Sequence, residues 1–220
     1  AGAREAIGVD EVPIQRVVLG SWFGLVHFAS IVFSIGSAAF VIAFVRERGE
    51  ARQRRFAEVD SLTGVSSRRA FLAAMTDMLE RARGSELPVS LVVFDLDHFK
   101  AINDEYGHPN GDIVLKKVAL ALRGHAREDF IVARIGGEEF ALVLPEHELA
   151  RAVTFANSLR LALSELEFNL DNEVKRITIS VGVAEWQAGM TSTGDFMRAA
   201  DAQLYRAKQS GRNQVCSALA

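Results

Sequence analysis

Cysteine is nearly missing from this chain: Cys216 is the only one among 220 residues. That excludes a disulfide framework and a cysteine-ligated zinc site. Proline is scarce too, with four residues, while 49% of the chain is hydrophobic, so collagen-like, low-complexity and disordered classes fall away. Positive charge is not in excess. Lys and Arg number 25 against 28 Asp and Glu, a net charge of -3, and nothing in that balance calls for a nucleic-acid partner. Two motifs are also absent. Without a GxxxxGKS or GxxxxGKT loop a Walker-type NTPase is excluded, and without a GxSxG elbow a Ser/His/Asp hydrolase has no support.

What the chain does have is an apolar run. Its mean hydropathy of +0.12 is high for a protein with 24% charged residues. Between Arg16 and Arg46 lie 29 residues without Asp, Glu, Lys or Arg, of which 21 are hydrophobic. A membrane-crossing helix needs roughly 20 apolar residues, so residues 17–45 are expected to form one span, but not two. The alternative is a buried helix of a soluble domain, which rarely runs this far without charge. A secretory signal fits less well, because Arg4, Glu5, Asp10 and Glu11 precede the run in place of a basic segment. The chain opens on Ala1, which leads to the expectation of further sequence upstream.

Arg46, Arg48, Arg52, Arg54 and Arg55 follow the run, whereas only Arg4 and Arg16 precede it. Basic residues favour the inner side, so residues 1–16 are assigned an extracytoplasmic flank and everything after Val45 the cytoplasm. Gly20, Gly24, His27, Ser30, Ser34 and Ser37 recur at helical spacing and outline one small-residue face. Either this face packs against a second helix, or it reflects the general abundance of Gly and Ser in such spans. Residues 46–59 continue as a charged helical linker.

From Asp60 the pattern alternates. Helices are expected over Ser67–Arg83 with a C-cap at Gly84, over Gly111–His125, Leu149–Leu166 and Asp195–Ser210, the last stopped by Gly211. Strands are expected over Val89–Phe94, Ile131–Ile135, Phe140–Leu144 and Arg176–Glu185. Gly136-Gly137 would supply positive φ for a tight hairpin between the second and third strands. The class is α+β, close to α/β, with helices packed on a sheet.

Asp95 follows directly on the first strand, and Glu138 and Glu139 stand in the hairpin. If those strands are neighbours, three hard oxygen donors converge, a set suited to magnesium or manganese. Each acid taken alone also fits an ordinary solvated turn. Lys100, Lys208 and Arg212 add cations that suit a phosphate-bearing substrate, although Lys208 and Arg212 equally suit a helix C-terminus. Residue types and spacing alone reach metal-assisted phosphoryl chemistry.

Six blocks carry the reading further. Asp60-Ser61-Leu62-Thr63-Gly64, Phe94-Asp95-Leu96-Asp97-His98-Phe99-Lys100 with Ile102-Asn103-Asp104, and Gly107-His108 with Gly111-Asp112 come first. Arg134-Ile135-Gly136-Gly137-Glu138-Glu139-Phe140, Ile177–Val183 and Ala200–Lys208 with Gly211-Arg212-Asn213 complete the series. In this order they resemble the GGDEF family, the diguanylate cyclases, in its GGEEF form, over residues 60–217. The resemblance implies a nucleotide-cyclase-type domain with a central, mostly antiparallel sheet flanked by helices. It further implies condensation of two GTP into cyclic di-GMP with release of two pyrophosphates, in a homodimer whose domains each supply a half-site.

By the same resemblance Asp95, Glu139 and the Leu96 carbonyl would hold Mg2+ or Mn2+. Glu138 would assist catalysis beside them. Asn103 and Asp112 would bind guanine, and Lys100, Lys208 and Arg212 the phosphates. The alternative is a silent domain that binds GTP or cyclic di-GMP. Synthesis of a mixed adenine–guanine product is disfavoured by Asp112, which matches the donor pair of guanine. Two positions depart from the family pattern. Ser67 replaces the usual Asn, and the product-inhibition motif RxxD reads Arg127-Glu128-Asp129-Phe130, which predicts a degenerate inhibitory site.

Overall fold

The computed structural model describes residues 14–56, 58–83 and 87–218, in two compact units, 1–55 and 56–220. The expected cap at Gly84 and most of the N-terminal flank lie outside the described residues. Among the described residues the N-terminal part is one helix, α1 (Ile14–Phe56), so the apolar run and the charged segment after it share a continuous helical backbone. Its stretch Trp22–Ile42 has a mean hydropathy of 2.1 and is 0% buried, long and apolar enough to cross a membrane. Within this stretch His27 Nδ1 and the Ser30 and Ser37 hydroxyls bond to carbonyls of the preceding turn, so their polar atoms are satisfied along the helix itself.

The second unit is built on a six-stranded sheet. Its strands are β1 (Ser66–Ser67), β2 (Val89–Leu96), β3 (Ile131–Arg134), β4 (Glu139–Pro145), β7 (Ile179–Glu185) and β8 (Val215–Ser217), in the order β1-β3-β4-β2-β7-β8. Only the outer pairs, β1 with β3 and β7 with β8, are parallel. A separate hairpin is formed by β5 (Phe168–Leu170) and β6 (Glu173–Lys175). The α+β class with a mostly antiparallel central sheet is therefore observed.

All eight residues of β2 are buried, because helices cover both faces of the sheet. Leu91 and Val93 point into one core with Phe71, Met75 and Leu79 of α2 (Arg68–Arg83) and Phe196, Ala200 and Leu204 of α5 (Thr193–Gln209). Val92, Phe94 and Leu96 point into the other core, with Val114, Val118 and Leu122 of α3 (Phe99–His125) and Ala156, Leu159 and Leu163 of α4 (Leu149–Ser164). Alternation along the strand thus fills two layers at once. Against β7, α5 comes so close that a Cβ on Gly182 would collide with backbone atoms of Ala200 and Leu204.

Three expectations need correction. The helix assigned to Gly111–His125 starts at Phe99 and is broken at Gly107, where φ is 78° and ψ 160°. Positive φ there is open to glycine, and Pro109 follows it into the second half. The strands β1, β5, β6 and β8 were not expected; each has only two or three residues. Finally, Gly136 and Gly137 do not adopt positive φ; among the described glycines only Gly64, Gly107 and Gly211 do. The reason for glycine in that turn is space, as the site shows.

Candidate active site

The sheet brings Asp95 and Glu139 together. Asp95, the penultimate residue of β2, stands directly opposite Glu139 of β4, with Ser180 of β7 on its other side. Directly opposed residues present their side chains on the same face, so the two carboxylates are neighbours. Asp95 is only 7% exposed. Burial pushes its carboxyl above the ordinary range. Glu139 and Asp97 act in the same direction, and the Lys208 ammonium opposes them from 2.7 Å. Glu138 is raised as well, first by burial and then by the Asp95 charge.

The expected convergence is therefore partial. Asp95 and Glu139 are paired and Glu138 feels both charges, yet among the described residues no three His, Cys, Asp or Glu close into a metal cage. Lys208 takes one oxygen of Asp95 instead, the salt bridge that balances a crowded acidic corner. The donors are all hard oxygens, which fits magnesium or manganese.

The Gly-Gly turn makes room for this corner. A Cβ on Gly136 would collide with the Glu139 carboxylate, whereas one on Gly137 would meet open space. Arg134 holds the turn from below. Its Nε and Nη2 donate to the Gly137 carbonyl at 3.1 and 2.6 Å, and its Nη1 to Asp60 Oδ1 at 3.3 Å. Asp60 in turn accepts from the Thr63 N–H and hydroxyl at 2.9 and 2.6 Å. Arg68 Nη1 donates to the Ile135 carbonyl at 3.1 Å. Beside Glu139 and Lys208 a cleft of about 320 Å³ opens, lined also by Arg68, Asp201 and Tyr205.

Asn103 and Asp112 lie on opposite sides of the α3 break. Their neighbourhood is set by Gly111, where a Cβ would collide with the Asn103 Oδ1. Asp112, the next residue, is exposed. The β5–β6 hairpin braces this break from outside: the Tyr106 hydroxyl meets Glu173 at 2.9 Å, and Asn110 Nδ2 donates to Asp171 at 3.0 Å. Lys100 is exposed on the first turn of α3, and Arg212 is exposed in the loop after α5.

With that geometry in view, the comparisons are direct. The family model "Diguanylate cyclase, GGDEF domain" matches residues 57–214. The chain belongs to this family. The diguanylate cyclase VdcA of Vibrio cholerae is 37% identical over 184 residues, 82% of this chain and 52% of that protein. The Bacillus subtilis protein YhcK is 40% identical over 168 residues, 75% of this chain and 47% of that protein. The chain thus spans about half the length of these two relatives. Among solved structures, the GGDEF domain of DgcB from Caulobacter crescentus, in complex with c-di-GMP, superposes with a TM-score of 0.71 at 35% identity. It covers 74% of this chain and 94% of that one. Homology to named diguanylate cyclases puts this GGDEF domain in a function related to c-di-GMP.

At Arg127–Phe130, the segment expected to depart from the RxxD pattern, the side chains engage one another and the core. Arg127 is paired with Asp129 through Nε at 3.0 Å and Nη2 at 3.1 Å, and lies over the Phe130 ring. Phe130 is 8% exposed and packs edge-on against His147 and Phe155. The position of the missing Asp therefore belongs to the core.

Residue spacing alone assigned no role to Asp60, Arg134 or Asp97, although all three stand within the quoted motifs. Asp97 had one legible signal: a carboxylate placed where a mostly apolar strand ends.

Proposed function

We propose that the chain is a membrane-anchored diguanylate cyclase, condensing two GTP into cyclic di-GMP with release of two pyrophosphates. The observation that carries the reading is the Asp95–Glu139 pair at the end of the sheet with Lys208 bonded to it. Asp95, Glu139 and the Leu96 carbonyl would hold Mg2+ or Mn2+. When bound, such an ion supplies charge neutralisation at the α-phosphate and lowers the pKa of the attacking hydroxyl.

The chain's own residues do the rest. Asn103 and Asp112 hydrogen-bond guanine; an Asp carboxylate accepts from the N1–H and N2–H of guanine, and adenine offers no such pair. Lys208, released from Asp95, joins Lys100 and Arg212 around the triphosphate. Glu138 accepts the proton of the ribose 3′-hydroxyl, a task for which a carboxyl raised by burial is better suited than an ordinary one. The 3′-oxygen bonds to the α-phosphorus of the other GTP, and pyrophosphate leaves with the electron pair of the broken bond.

Each domain binds one GTP, so two chains face each other as a homodimer of half-sites. Residues 17–45 anchor the chain in the bacterial inner membrane, with residues after 45 in the cytoplasm. The small-residue face of α1 then gives the two spans a packing surface. The closed Arg127–Asp129 pair and the buried Phe130 support weak product inhibition at that site.

The test is to incubate the full chain with Mg2+ and GTP, with and without ATP, and to identify the products by mass spectrometry. Cyclic di-GMP alone is expected. Tight GTP binding without a cyclic product from the dimer would establish a silent binding module instead.

A further inference from the structure

Asp97 is 5% exposed and has no part in the chemistry just described. Its carboxylate nevertheless makes three hydrogen bonds. Oδ1 accepts from the Ser180 hydroxyl at 2.6 Å, and Oδ2 accepts from the Thr178 hydroxyl at 2.7 Å and the Asn213 backbone N–H at 3.0 Å. Its own N–H donates to the Thr178 carbonyl at 2.9 Å. One buried group therefore joins the end of β2, the approach to β7 and the loop that follows α5.

That loop is unusual. Gly211, Arg212 and Asn213 have φ of 110°, 62° and 45°, three successive residues in the left-handed half of backbone space. Side-chain-bearing residues resist this conformation, and it persists only where the surroundings over-determine it. Several anchors do so. The Arg212 N–H donates to the Ala207 carbonyl at 3.0 Å, and Arg160 Nη1 donates to Asn213 Oδ1 at 2.7 Å. Gln214 donates from Nε2 to the Ala207 carbonyl at 2.9 Å. Asp97 supplies the anchor that comes from just past the end of the strand bearing Asp95, two residues away. Lys208 and Arg212 flank the same turn, the first bonded to Asp95 and the second exposed.

We propose that Asp97 is a positioning residue for polyphosphate recognition: it clamps the left-handed 211–213 loop and so holds Arg212, with Lys208, in register with the carboxylates of the sheet end. The ligand class is the triphosphate of a nucleotide, and the proposal rests on the cyclase reading above. A purely structural Asp97 would support the nucleoside and the phosphates equally. A clamp on the cationic loop acts on the phosphates alone.

The experiment compares binding of a non-hydrolysable GTP analogue with Mg2+ and binding of guanosine, in the full detergent-solubilised chain. In Asp97→Ala the affinity for the GTP analogue is expected to fall roughly tenfold, the worth of a lost charge-assisted contact, while guanosine affinity stays unchanged. Adding Arg212→Ala to that variant is expected to cost nothing more. Asp97→Asn keeps an acceptor for the Asn213 N–H and is expected to restore triphosphate binding. Gly211→Ala, which meets no neighbour within 4 Å but strains the loop through its φ, is expected to reproduce the selective loss without touching the buried carboxylate. Unchanged GTP affinity in both Asp97→Ala and Gly211→Ala would overturn the proposal, as would equal losses for guanosine and GTP.

Hydrogen exchange at the Asn213 amide separates this result from the cyclase reading. A wild-type chain that bound no GTP would sink that reading, and the clamp would then be judged by exchange alone. Faster exchange in Asp97→Ala supports it, and unchanged exchange overturns it.

Discussion

Asn103 occupies the space that any side chain at position 111 would need: a Cβ on Gly111 would run into its Oδ1. The two residues stand on either side of the break in α3, so the missing side chain lets its two halves approach each other. Gly111→Ala is expected to displace the Asn103 carboxamide and weaken GTP binding about tenfold or more, as lost hydrogen bonds to a bound base do. Calorimetric titration checks this. Combining it with Asn103→Ala is expected to add little, because both remove the same contact.

The two glycines of the Gly136-Gly137 turn are expected to differ. Gly136→Ala is expected to push the Glu139 carboxylate aside and to lower turnover, by roughly 100-fold if the carboxylate moves by about 1 Å. Gly137→Ala meets nothing in the free protein, so its melting temperature is expected to match the wild type. Paired thermal melts and turnover assays of the two variants check the asymmetry.

Asp95 and Glu138 both have carboxyls raised by burial. A carboxyl raised in the fold takes up its proton at a higher pH than in the unfolded chain. Its contribution to stability is therefore fully present below the ordinary carboxylate value, about 4, and is lost as pH rises through the folded value. Glu138→Gln removes this cost, so the variant is expected to melt higher than the wild type at neutral pH. The gain is expected to vanish in acid, and cyclase turnover to be lost. Melting curves across pH decide the matter, and a gain independent of pH would contradict it.

Phe130 faces the core, so restoring an acid there is not expected to restore feedback. Phe130→Asp places a carboxylate against His147 and Phe155 and is expected to cost about 3 kcal/mol or more, read by denaturant unfolding. In the wild type, cyclic di-GMP binding is expected to be weak and unaffected by Arg127→Ala. Tight binding lost in that variant would show a working inhibitory site.

The elements set by long periodic patterns were legible. The apolar run of α1, the buried stripe of α2 through Phe71, Met75 and Leu79, and the mostly apolar β2 each announce themselves. The first half of α3 did not, because Lys100, Asn103, Asp104 and Glu105 precede a Gly-His-Pro sequence that reads as loop. The β5–β6 hairpin left one usable signal, Asp171-Asn172, whose φ values of 47° and 69° are those that a tight hairpin turn demands. Motif order pointed to Asp95, Glu139, Asn103 and Asp112. The bracing by the Arg134–Asp60 bond, by Asp97 and by the hairpin was not legible, since those bonds join residues 61 to 116 positions apart and leave no local spacing.

The Asp95–Glu139 pair has no backbone of its own to melt. It belongs to a ladder in which β2 is hydrogen-bonded on both sides, to β4 from Val89 to Asp95 and to β7 from Ser90 to Leu96. A slip of one residue would turn every side chain of β2 to the opposite face. The carboxylate pair is therefore expected to be lost only when this ladder itself opens. Denaturant is expected to abolish the pair and the fold in one cooperative step, whereas the two-stranded hairpin over α3, which lies outside the main sheet, is expected to open first.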